Sequence, residues 1–156
     1  MTKSIKPLTN KQIQQQYSKR IKAFLRQVKK WLPDDLEMIE SIPDFTVTDN
    51  TGTYHVEMAT IYRKNVPRAD GFVADILPFG TIISCGESIL EISGAFSQET
   101  LTHFHRNNQS LDSDGWYWLD KSASRDVTLV TSEQFFDLIE LVNCESPDDE
   151  DFMGFE

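Results

Sequence analysis

The sequence predicts an α+β fold: a largely antiparallel sheet with an N-terminal amphipathic helix and two or three further helices packed mainly on one face. Three observations lead there. Helical periodicity is confined to a few segments, the middle of the chain alternates with a period of two, and strands and helices are segregated rather than interleaved. Segregation of this kind favours α+β over a doubly wound sheet, which needs a crossover helix between parallel strands.

The first helix is predicted over residues 10–32. Ile13, Tyr17, Ile21, Phe24, Val28 and Trp31 recur at three- and four-residue steps. At helical pitch they share an arc of about 120°. Thr9 and Gln12 have the spacing of a capping box. Lys11, Lys19, Lys22, Arg26, Lys29 and Lys30 fall on the opposite side, so one face packs and the other is a basic ridge. Pro33 ends the helix or opens a second one over 34–41, whose positive N-terminus Asp34 and Asp35 would suit.

After Pro43 the period becomes two. Phe45 and Val47 lead to the turn-rich Asp49-Asn50-Thr51-Gly52, and residues 53–63 return as one strand of a hairpin. Residues 64–71 read as a loop. Strands are predicted at 72–77, 81–84 and 88–92, punctuated by Gly80, Gly86 and Gly94. Ser97 is placed to cap a short helix over 98–106, and residues 107–115 form a polar loop. Strands at 116–119 and 127–130 precede a last helix over 132–143, capped by Thr131 with Gln134.

A chain of 156 residues with 39% apolar residues suits one domain. Residues 1–144 are expected to form it. Residues 145–156 hold six acids with Phe152, Met153 and Phe155 among them, and cannot bury enough surface to fold alone. No run of 18 apolar residues and no secretory h-region is present. Two cysteines, Cys85 and Cys144, make no disulfide framework, so a cytoplasmic location is expected.

Charge is split along the chain. Residues 1–31 carry nine basic residues and no acid. The other 125 carry six basic residues and all 25 acids, a formal −19. Such a body repels nucleic acid and anionic membrane and attracts a basic protein surface.

No constellation points to a reaction. His103 and His105 would share a face only on a strand, and a helix over 98–106 puts them about 200° apart. Asp112-Ser113-Asp114-Gly115 resembles the middle of a calcium loop, but Lys121 stands where an acid is required. Pro43-Asp44 with Glu57 has a nuclease outline, yet Ala59 occupies the position that wants lysine. No P-loop, dinucleotide fingerprint or nucleophile elbow occurs. No metal or cofactor is therefore expected.

The reading that charge favours is a protein-binding module that neutralises a basic partner, in its most concrete form an immunity- or antitoxin-type inhibitor of a nuclease-like toxin. Candidate contact residues are Asp112, Asp114, Trp116, Trp118 and Asp120 around one loop, with Glu87 and Glu91 nearby. The indoles serve this way only if their face is open; core packing is the ordinary role for such a pair. In the tail, Asp148, Asp149 and Asp151 would steer and Phe152 or Phe155 would anchor. The alternatives are an adaptor subunit docking through helix 10–32 and the tail, a homodimer built on that helix, and a small enzyme without a recognisable motif.

Overall fold

A computed structural model describes residues 8–40, 45–82, 87–104, 115–119 and 127–145. Helix α1 spans Asn10–Trp31 and α2 spans Ser132–Val142. Between them lie β1 (Leu36–Glu40), β2 (Phe45–Asp49), β3 (Gly52–Val56), β4 (Ala59–Arg63), β5 (Phe72–Ile82), β6 (Glu87–Ser93), β7 (Gln98–Phe104), β8 (Gly115–Leu119) and β9 (Val127–Leu129). Seven strands form an antiparallel sheet in the order β1-β4-β5-β6-β7-β8-β9, and β2 pairs with β3 as a separate hairpin. The α+β class and the N-terminal helix are as the sequence predicts. The described residues hold two α-helices, with a single 3-10 turn at Arg68–Asp70, instead of three or four helices.

α1 begins where its capping box places it. The Thr9 hydroxyl accepts from Gln12 N–H at 3.1 Å, and Thr9 N–H donates to the Gln12 side chain at 2.9 Å. Tyr17, Ile21, Phe24, Leu25 and Val28 are buried. They meet a sheet face built from cross-strand pairs such as Ile76 opposite Ile92 and Leu90 opposite Leu101. α2 packs Phe135, Leu138 and Val142 onto the same core. Its end comes so close to the β6–β7 turn that a Cβ at Gly94 would lie 2.5 Å from the Val142 carbonyl oxygen, so only glycine fits there. The other face of the sheet is polar-rich and half-buried, with Thr60 donating to Asp75 at 2.6 Å.

Five predicted elements differ. Residues 36–40 are the edge strand β1, paired residue for residue with β4 from Leu36 opposite Arg63 to Glu40 opposite Ala59. Asp34 and Asp35 sit in the turn before it: Leu36 N–H donates to the Pro33 carbonyl, and Lys64 N–H to that of Asp35. A segment this short does not support a helix on its own, whereas an open strand edge supplies a partner at once.

The segment 98–106 is strand β7 through Phe104, not a helix. Ser97 is no helix cap; its N–H and that of Phe96 both donate to the Val142 carbonyl. Thr100 and Thr102 alternating around Leu101 give the period of two that pairing with β6 and β8 uses.

Residues 53–63 break at Glu57-Met58 into β3 and β4, which belong to different sheets. Residues 83 and 84 of the predicted strand 81–84 lie outside the described residues; its described part, through Ile82, and the predicted strand 72–77 are one strand, β5. Its register shifts between Pro78 and Gly80, leaving Phe79 as an extra residue 62% exposed. A bulge lets a proline stay inside a long strand, because the ladder is interrupted where the N–H is missing.

Candidate functional site

Two polar assemblies flank α1, and they differ in kind. The first joins α1 to the β2–β3 hairpin and the β5 bulge. One Asp49 carboxylate oxygen accepts from the Tyr54 hydroxyl at 2.7 Å and from Thr81 N–H at 3.0 Å, with the Thr81 hydroxyl at 3.2 Å. The other accepts from the N–H and hydroxyl of Thr51. Tyr17, wholly buried, donates its hydroxyl to the Ile89 carbonyl at 2.6 Å and accepts from Phe79 and Gly80 N–H. Gln14 closes the hairpin turn by donating to the Thr51 carbonyl at 2.9 Å.

The titration of this node follows from its wiring. Burial pushes the Tyr17 hydroxyl well above the usual phenol range; the Gly80 and Phe79 amides pull the other way, and the Asp49 charge adds to the rise. Burial likewise raises Tyr54, helped by its bond to Asp49. For Asp49 burial alone would raise the carboxyl, but the bonds from Thr51, Tyr54 and Thr81 together outweigh it and hold the group below the ordinary aspartate range. Both Asp49 carboxylate oxygens and the Tyr17 and Tyr54 hydroxyls are engaged within the fold, so the node's chemistry is structural: it pins the hairpin onto the sheet. Gly80 belongs to it as well. Its φ of +127°, and the 3.1 Å that would separate a Cβ at this position from Asp49 Oδ2, exclude a side chain.

The second assembly is an open cleft of about 520 Å³ between the later turns of α1, the β7–β8–β9 end of the sheet and the start of α2. Phe24, Trp31 and Trp116 form its aromatic walls, and Arg20, Gln27 and His103 its polar ones. Phe24 lies 5.8 Å from Trp116 and 6.2 Å from Phe135 between ring centroids. The His103 ring stands edge-on to Trp116 at 5.3 Å, as their register opposite one another requires. Arg20 donates to the Ser88 hydroxyl at 2.9 Å, and Ser88 is itself 1% exposed. Thr131 and Ser132, at the α2 N-terminus, complete the rim.

The sequence-predicted contact residues fall in several places. Trp116 is 7% exposed and packs against Phe24, so the open face on which its partner role depends is not found at this residue. Trp118 is half-buried against the core, and its indole nitrogen has no hydrogen-bond partner among the described residues. Glu91 is half-buried on the helix-free face, opposite Leu77 and Thr100. Glu87 belongs to β6, but its side chain lies outside what the structure describes. Asp112, Asp114, Asp120, Asp148, Asp149, Asp151, Phe152 and Phe155 also lie outside the described residues, as do His105 and Cys85.

With 98–104 a strand, the helical separation expected of His103 and His105 does not apply; His103 points to the helix-bearing side, into the cleft. His55 is exposed on β3, 3.3 Å from the Thr46 hydroxyl. No group of three or more metal-ligating side chains occurs among the described residues. No described helix is long and apolar enough to cross a membrane.

Sequence reasoning misses both assemblies. Asp49 carries only a turn signal, and Arg20 looks like one more member of a basic run. On comparison with known proteins, no family model, curated protein or solved structure matches the chain.

Proposed function

We propose that this chain is an acidic protein-binding module that neutralises a basic protein, most concretely as an immunity- or antitoxin-type inhibitor of a nuclease-like toxin. The observation that carries the reading is the formal −19 concentrated beyond residue 31. The geometry adds a feature that suits it. Glu133, Asp137 and Glu140 lie at successive turns of α2, away from its buried Phe135, Leu138 and Val142, so the helix presents an acidic ridge. Glu37 and Arg68, 3.8 Å apart, form an ion pair at the β1 edge of the sheet, whereas α2 packs over the central strands β5, β6 and β7. A field of this sign speeds encounter with a basic surface and holds it through charge pairs desolvated on contact.

A basic nuclease groove is built to hold phosphates, and clustered carboxylates occupy such a groove without any catalytic group of their own. The test is affinity capture from native lysate with the full chain and with the triple reversal Glu133→Lys, Asp137→Lys, Glu140→Lys. A strongly basic protein should be retained at low salt by the first and lost by the second, and its purified activity should fall on adding the first. Recovery that the reversal leaves unchanged, or a captured protein whose activity is unaffected, sinks the proposal.

A second reading, an adaptor subunit, draws on α1. Lys11, Lys22, Arg26, Lys29 and Lys30 are all exposed, so the helix layer shows a basic ridge as well as an acidic one. Neutralising Lys22, Arg26 and Lys29 to Gln should cost a partner under this reading and spare inhibition under the first.

A further inference from the structure

We propose that this chain forms a two-fold symmetric dimer through its helix layer, in which the basic ridge of α1 on one copy faces the acidic ridge of α2 on the other, and the reverse. The inference does not rest on the neutralising reading above. It uses only charges that the chain itself carries, and it is tested on the purified chain alone, so its failure leaves that reading untouched.

Neither ridge is neutralised within its own helix. The span Asn10–Trp31 contains no acid, and Ser132–Val142 contains no basic residue. Lys22, Arg26 and Lys29 follow one another at steps of four and three residues, and so do Glu133, Asp137 and Glu140. All six are exposed, and none forms an ion pair with a described residue. Like charges at such spacings on one helix repel, so each ridge is relieved by an opposite ridge laid against it.

The fold sets the two ridges side by side. α1 and α2 pack onto one core, and Phe135 of α2 meets Phe24 and Trp31 of α1 at 6.2 and 5.8 Å between ring centroids. Each ridge lies on the outward side of its helix, opposite the buried residues. A two-fold rotation above this layer therefore carries each ridge over its complement, and one self-complementary interface gains both contacts. The equal spacing lets three charges meet three in each. Leu141, 42% exposed and one turn beyond Asp137, adds apolar surface beside the acidic ridge. Two copies at −10 repel at long range, but at physiological salt that field is screened within about 8 Å, whereas the ridges pair at contact. A single exposed ion pair is worth little, so the dimer depends on the array as a whole.

The experiment is sedimentation velocity on the full chain over about 1–200 μM at about 0.15 M salt. Wild type should pass from monomer to dimer within that range, and about 0.5 M salt should weaken the dimer about tenfold. One variant carries Lys22→Glu, Arg26→Glu and Lys29→Glu; the other carries Glu133→Lys, Asp137→Lys and Glu140→Lys. Each alone should stay monomeric, a loss of about a hundredfold or more. The second variant separates local pairing from overall repulsion, because its three reversals take the net charge from −10 to −4, which would promote association if net charge decided it. Mixed in equal amounts, the two variants should recover a dimer holding one of each, since every ridge again meets its opposite. That recovery also shows both to be folded. If a triple variant loses its cooperative thermal melt, the single reversals Arg26→Glu and Asp137→Lys, alone and mixed, make the same test. A wild-type chain that stays monomeric leaves the ridges to other partners and overturns the proposal. So does a dimer that either reversal leaves intact, or a mixture of folded variants that fails to associate.

Discussion

The two sides of α1 use similar residue types to opposite ends. Around Gln14 and Tyr17 the Tyr17 hydroxyl, the Gln14 amide N–H and both Asp49 oxygens are matched to groups of the fold, and the hairpin, the β5 bulge and the helix are tied into one unit. Around Arg20 and Gln27, about one and three helical turns beyond Tyr17, polar and aromatic groups line a cleft. The difference teaches that a polar cluster near a core is not by itself a site. What marks the first as a structural node is that the fold has consumed the hydrogen-bonding capacity of the Asp49 carboxylate and the Tyr17 phenol.

That contrast can be broken by substitution. The largest effect is expected from Asp49→Ala, which strands the donors of Thr51, Tyr54 and Thr81. It should lower unfolding free energy by about 3 kcal/mol in urea titrations. A loss under about 1 kcal/mol would mean that the node is ornamental.

Tyr17→Phe should follow at about 2 kcal/mol, since the ring stays packed but the Phe79 and Gly80 amides lose their acceptor. The comparison predicts that Gln27→Ala, on the cleft side, moves stability by no more than about 0.5 kcal/mol. Equal costs on both sides would erase the distinction.

A pH series sharpens it further. The folded-state pKa of Asp49 lies below its unfolded value. Its contribution is therefore complete above the ordinary aspartate range near about pH 3.9 and disappears as pH falls through the folded value. Wild type should lose stability on acidification below about pH 4 more steeply than Asp49→Asn, which has no proton to gain there. Parallel acid limbs for the two would show that the carboxylate is not held as described.

How much of this is legible in the sequence varies with the range of the interactions involved. α1 and α2 are readable because their caps, Thr9 with Gln12 and Thr131 with Gln134, and their apolar periods are local signals. The β2–β3 turn is readable for the same reason. β1 and β7 escape such a reading because five- and seven-residue segments with mixed propensity take their conformation from whichever strand lies beside them. The continuity of β5 through Pro78 depends on a bulge that only the neighbouring strands and the Tyr17 hydroxyl make favourable.

The amino-acid order alone determined the class of fold, the position of both helices and the separation of a basic first helix from an acidic remainder. Each of these is a sum over residues near in sequence. The tertiary structure alone decided that Asp49 is consumed internally, that Trp116 is buried and that Arg20 borders an open cleft. Those outcomes turn on groups far apart in the chain, Asp49 and Thr81 being 32 positions apart and Arg20 and Ser88 68, which no local pattern encodes.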